Sequence, residues 1–125
     1  MQNILIMLFI FQSINKLIKM VEKVSSASHF KELLNAAGDA LVVVDFFATW
    51  CGPCKAIAPT IEEWAKGEFS MVKFVKVDVD ECEEVAMDND ISAMPTFKFF
   101  KGGNAVDELV GANPDKLKEK INQHK

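Results

Sequence analysis

Apolar and polar positions along this chain alternate between two periods. Leu41 to Phe47, LVVVDFF, is apolar on both faces of a strand apart from one aspartate, the pattern of a central parallel strand covered on both sides. Upstream, Val21 to Val24 is a short first strand. SASHFKELLNAAGD then places Phe30, Leu33, Leu34 and Ala37 at helical spacing, with Ser28 expected as N-cap and Gly38 closing the helix. After ATWCGPC, Ile57, Ile61, Trp64 and Ala65 mark one face of a helix to about Lys66, with Pro59 inside it, where a missing amide should bend the axis.

MVKFVKVDVD, residues 71–80, has the β-branched content of the next strand, and a short helix follows near Cys82 to Asp88. Thr96 to Phe100 and Ala105 to Val110 flank KGGN and should pair as an antiparallel hairpin. Asn113 as N-cap, with Pro114 and Asp115 behind it, opens a last helix through about Asn122. The order β-α-β-α-β-α-β-β-α predicts an α/β fold: a central mixed sheet, parallel strands plus a C-terminal antiparallel hairpin, flanked by helices. Such sheets place their chemistry at the carboxyl ends of the parallel strands, and ATWCGPC follows the most apolar strand at that end.

A chain of 125 residues holds one domain, and its net charge of −4 without a Lys/Arg cluster argues against a nucleic-acid surface or a polybasic membrane patch. The expected partners are therefore proteins or small molecules, with no nucleic acid and no membrane. Three cysteines cannot form the paired framework of a small secreted domain, so a reducing compartment, the cytoplasm, fits best. The first nineteen residues stand apart, with an apolar run from Ile4 to Phe11 and then Lys16 and Lys19. That run is far short of the roughly 20 residues a membrane span needs. Residues 1–19 read as an extension upstream of a natural start at Met20, as a targeting segment for secretion or an organelle, or as a folded element, with the domain proper over 20–125. Without them the chain loses two of its 14 basic and none of its 18 acidic residues, for a net charge of −6.

Cys51 and Cys54 flank Gly52 and Pro53 where a strand gives way to a helix. A sulfur there lies near free amides and the positive end of the helix dipole, which favours the reactive thiolate. Pro53 suits a first turn, where its missing N–H costs nothing, and Gly52 leaves room for an approaching disulfide. Cys54, one turn further on, can meet Cys51 in a disulfide while only Cys51 is well placed to face solvent, dividing the pair into attacker and resolver. So small a ring is a poor structural staple. A structural zinc wants a second pair of ligands, and Cys82, His29 and His124 stand singly. Haem attachment would need His at position 55, which is Lys. The motif reads as a bond to be made and broken, with no bound cofactor or metal expected.

Asp45 sits within LVVVDFF, six residues before Cys51. Either it points to solvent at a strand end, or it is a buried carboxylate with a raised pKa or a cation beside it, serving as proton acceptor when Cys54 must ionise. Lys76 on the neighbouring strand is its candidate ionic partner or a solvated strand lysine.

ATWCGPCK behind VVVDFF, then KVDVDE, SAMPTF and VGAN, in that order, resembles the thioredoxins, animal cytosolic ones in particular, from Met20 onward. The resemblance implies the thioredoxin fold and a general dithiol reductant of protein disulfides, recharged by an NADPH-dependent thioredoxin reductase. Thioredoxins are themselves a standard instance of a lowered thiol pKa in a C-x-x-C motif, so that property comes with the resemblance. Carried over by motif, Cys51 is the nucleophile, Cys54 the resolving cysteine, Asp45 the buried carboxylate and Lys76 its neighbour. Pro95 matches the family's cis-proline, and Trp50, Met94, Gly111 and Ala112 match the rim of its substrate groove. Read without the family, Trp50 and Met94 belong to the core more often than to a groove.

Two departures stand out. Many animal relatives carry several extra cysteines. Here only Cys82 matches such a position, either as an inert surface thiol or as a regulatory site of oxidation or intermolecular pairing. The expected state is a monomer, with a Cys82-linked dimer as the alternative. The second departure is the N-terminal extension. A disulfide-forming domain of a secretory compartment is the rival function, but Gly-Pro between the cysteines speaks for a reductant. A regulatory docking module is compatible with the reductant reading.

Overall fold

The computed structural model describes residues 3–10 and 21–125. Residues 3–10 are helical. Met20, the expected start of the domain, and the rest of the extension lie outside the described residues. The domain runs β1 (Val21–Lys23), α1 (Ala27–Ala36), β2 (Val42–Phe47), α2 (Gly52–Lys66), β3 (Lys73–Asp78), α3 (Glu83–Asp88), β4 (Thr96–Lys101), β5 (Asn104–Val110) and α4 (Pro114–His124). This is the element order expected from the periodicity.

The five strands form one sheet in the order β1-β3-β2-β4-β5. β3 runs parallel to both β1 and β2, whereas β4 is antiparallel to β2 and β5. β2 is thus the middle strand, which is why its sequence is apolar on both faces. Val43 joins Phe74, Phe97 and Phe99 in a core closed by Ile57 and Ile61 of α2 and Leu117 and Ile121 of α4. Val42, Val44 and Phe46 join Val75, Val77 and Phe100 in a second core, under Phe30 of α1 and Val85 of α3. The period-2 alternation of a strand divides the two sets, and it assigns Asp45 to the same face as Val43, the α2 face. Truncating a fully buried ring such as Phe97 or Phe99 to alanine would cost about 3–5 kcal/mol.

Local punctuation differs from the sequence reading in a few places. The N-cap of α1 is Ser26, not Ser28: its backbone is extended, and its Oγ accepts from His29 N at 3.1 Å. Ser28 lies inside the first turn, and its hydroxyl meets that of Ser26 instead. β3 is shorter than residues 71–80, because Asp78 Oδ1 accepts from the amides of Asp80 at 2.9 Å and Glu81 at 3.3 Å and turns the chain. The β4–β5 reversal uses Gly102 and Gly103, both with positive φ, as a two-residue hairpin requires. At α4, Asn113 Oδ1 accepts from Lys116 N at 3.1 Å, the cap expected there.

Candidate active site

The chain leaves β2 at its carboxyl end, turns through Ala48 to Trp50, and enters α2 with Cys51 as N-cap. Cys51 and Cys54 form a disulfide, their Cα atoms 5.3 Å apart. Cys51 Sγ accepts from Cys54 N at 3.2 Å, so the sulfur occupies the place where a capping oxygen satisfies a free helical amide. A negative charge on that sulfur would be stabilised by the amide and by the helix dipole. Pro53 fills the first turn, where an N–H would have had no partner.

In the disulfide, Cys51 is 5% and Cys54 4% exposed. The expectation that Cys51 alone faces solvent is therefore not met in this state. Ala48, Met94 and Phe47 pack against the pair, and the two cysteines are buried to nearly the same extent. What distinguishes the two is what lies beside each. Cys51 Sγ sits at the helix start, 3.6 Å from the Met94 carbonyl oxygen. Cys54 lines a cleft of about 270 Å³ with Asp45, Phe47, Lys55, Ala58 and Lys76.

Asp45 is 8% exposed, and its Oδ1 has no hydrogen-bond partner among the described residues. The reading of a carboxylate pointing to solvent is set aside. Burial pushes its pKa up from 3.8 to about 7, and attraction to Lys76 offsets part of that rise. Lys76 is its register neighbour on β3, yet no ion pair closes between them among the described residues. The ammonium instead stands 6.0 Å from the centre of the Phe47 ring. Lys76 is thus a nearby positive charge and not a contact partner.

Of the residues matched to a groove, Met94 packs against the disulfide and Trp50 directly precedes Cys51. The Met94–Pro95 peptide is cis. Gly111 donates its N–H to the Pro95 carbonyl at 2.8 Å and adopts φ +103°, a conformation that favours glycine. Trp50 is 67% exposed, so it is no core residue, and Met94 is half-buried. Ala112 shares a dip with Pro53, Ile57 and Pro114.

The thioredoxin family model matches residues 20–123. The chain belongs to the thioredoxin family. Thioredoxin of Equus caballus is 52% identical over 102 residues, covering 82% of this chain and 96% of that protein. Thioredoxin of Homo sapiens is 51% identical over 104 residues, covering 83% and 98%. The X-ray structure of Fasciola hepatica thioredoxin superposes with a TM-score of 0.82 at 48% identity, over 84% of this chain and all of that one. The fold is the thioredoxin fold, and the Cys51–Cys54 disulfide gives this thioredoxin-family chain the redox role of a protein-disulfide reductase.

Several site features escaped the sequence reading. Asp80 Oδ2 accepts from Trp50 Nε1 at 2.9 Å, fixing the exposed indole across thirty residues of sequence. No local signal announces that pairing. Asp78, by contrast, carried a signal, since an Asp at a strand end can accept from the amide two residues on, here Asp80, in an Asx turn. Thr96 ties down the loop before β4 by donating Oγ1–H to the Ala93 carbonyl at 2.7 Å. Cys82 is buried, not at the surface, and its thiol donates to the Val24 carbonyl at 3.4 Å. Burial pushes its pKa up, with the charges of Glu81 and Asp78 adding to the effect, so the reactive thiolate is disfavoured there.

Proposed function

We propose that this thioredoxin-family chain is a general reductant of protein disulfides in the cytoplasm, working as a monomer over residues 20–125 and recharged by an NADPH-dependent thioredoxin reductase. The observation that carries the reading is the asymmetry around the pair: Cys51 at the amide-rich helix start, Cys54 on the cleft that holds Asp45.

In this reading the Cys51 thiolate attacks one sulfur of a substrate disulfide. A Cys51–substrate disulfide forms, and the other substrate sulfur leaves as a thiolate. Cys54 then gives its proton to Asp45, directly or through water in the cleft. Its thiolate attacks Cys51 Sγ, closing the Cys51–Cys54 bond and releasing the second substrate thiolate. The substrate gains two electrons, which the reductase restores from NADPH. With a pKa raised to about 7, Asp45 is matched to taking and returning a proton near neutrality. Lys76 keeps that value from rising further. Trp50, Met94, Pro95, Gly111 and Ala112 form the rim against which a substrate chain lies. The buried thiol of Cys82 favours a structural role over a Cys82-linked dimer.

The test is NADPH consumption with thioredoxin reductase and insulin as the protein disulfide. The wild type should sustain turnover, Cys51→Ser should abolish it, and Cys54→Ser should accumulate a mixed disulfide seen by mass spectrometry. Full turnover by Cys51→Ser would sink the assignment.

A further inference from the structure

Residues 3–10 form a helix in which every side chain from Ile4 to Ile10 is apolar and 49–71% exposed. From Ile4 on this helix has no polar side. A helix that docks in a protein groove keeps one face wet, and its sequence shows a polar stripe. One that is apolar all round needs a medium that is apolar all round, which lipid supplies. Its eight described residues reach about 12 Å, against the roughly 30 Å of a bilayer core. In accord, no helix among the described residues is long and apolar enough to span.

Charge indicates which lipid. Residues 1–19 carry Lys16 and Lys19 and no acidic residue, whereas the remainder carries 12 basic and 18 acidic residues. Anionic headgroups therefore attract this end of the chain and repel the rest. We propose that the apolar helix of residues 3–10 seats the protein on an anionic lipid surface, to which the positive charge of residues 1–19 draws it. This departs from the expectation of no membrane partner: that expectation looked for a polybasic patch, and here apolar surface supplies most of the attraction.

The test is flotation of the full chain, its N-terminus verified by mass spectrometry, with phosphatidylcholine vesicles containing roughly a third phosphatidylserine. The protein should float with these vesicles, and less with phosphatidylcholine alone or in high salt. Replacing both Ile6→Glu and Phe9→Glu should lower partitioning at least about tenfold, since two large apolar side chains no longer leave water. Insulin reduction by that variant at the parental rate shows that its domain is folded. Lys16→Gln with Lys19→Gln should cost about fivefold per lysine on the anionic vesicles and nothing on neutral ones. Phe9→Trp should shift its emission to the blue only when vesicles are present. Absence of flotation, equal flotation of the double glutamate variant, or a blue shift without vesicles in a self-associated form would each overturn the proposal.

Discussion

Asp45 and Asp107 are both strand carboxylates with a lysine nearby, and they end at opposite extremes. Asp45, in the middle of β2, has an oxygen with no partner among the described residues, and burial raises its pKa to about 7. Asp107, in β5, has Lys120 Nζ 2.8 Å from Oδ1 and His124 Nε2 2.8 Å from Oδ2, and those bonds hold its pKa down at about 2. The amide of Glu108 also donates to Oδ1, at 2.8 Å. A lysine in the neighbourhood does not settle a carboxylate's state; a lysine in contact does. Lys76 attracts Asp45 from a distance and offsets only part of the desolvation. One arrangement leaves a group that can take up a proton, and the other ties the end of α4 to the sheet. Lys101 adds to that tie by donating to the His124 carbonyl at 2.9 Å.

The contrast can be broken at either carboxylate. Because the folded pKa of Asp45 is raised, its contribution favours the fold fully below 3.8, and that contribution is lost as pH rises through about 7. Asp45→Asn should remove the loss, leaving the variant more stable than the parent by up to about 4 kcal/mol at mildly alkaline pH and equal to it in acid. Denaturant unfolding across the pH range measures this; equal stabilities at high pH would contradict a buried, unpaired carboxylate. The same substitution should slow closure of the Cys51–Cys54 disulfide about 100-fold and abolish its pH midpoint near 7, as seen in stopped-flow decay of a mixed disulfide.

At Asp107 the sign reverses. Its depressed pKa means stability present above the ordinary carboxylate value near 3.8 and lost as pH falls towards about 2. Asp107→Asn should cost about 1 kcal/mol at neutral pH, a figure kept small by solvent screening, with no change in disulfide reduction. Smallest is Lys76→Gln, which should move the Asp45 midpoint upward by less than about one pH unit, read by carbonyl NMR of Asp45. A downward move would mean that Lys76 does not act on Asp45 by charge.

Much of this site was legible because its signals are local. The strand period, the N-cap position, Pro53 after Gly52 and the cysteine spacing each depend on residues within one turn of one another. An aspartate inside an apolar run announces itself in the same way. Less legible was anything resting on partners far apart in sequence: the Trp50–Asp80 bond, the burial of Cys82 beside the Val24 carbonyl, and the near-equal burial of Cys51 and Cys54, against which Met94 packs. The misplaced cap at Ser28 has a different cause, since three serines in SSAS compete within a few residues and only backbone geometry chooses among them.

The sequence by itself determined the element order, the two-sided burial of β2, the dithiol at its carboxyl end and the family, because each is written in short-range pattern or in motifs that stand in order. Tertiary structure alone decided the protonation chemistry. Asp45 and Asp107 are the same residue type, and what separates about 7 from about 2 is which groups the fold carries into contact with each oxygen and which it leaves out of reach. Desolvation and hydrogen bonding act over a few ångströms, so they belong to the folded neighbourhood and not to the chain.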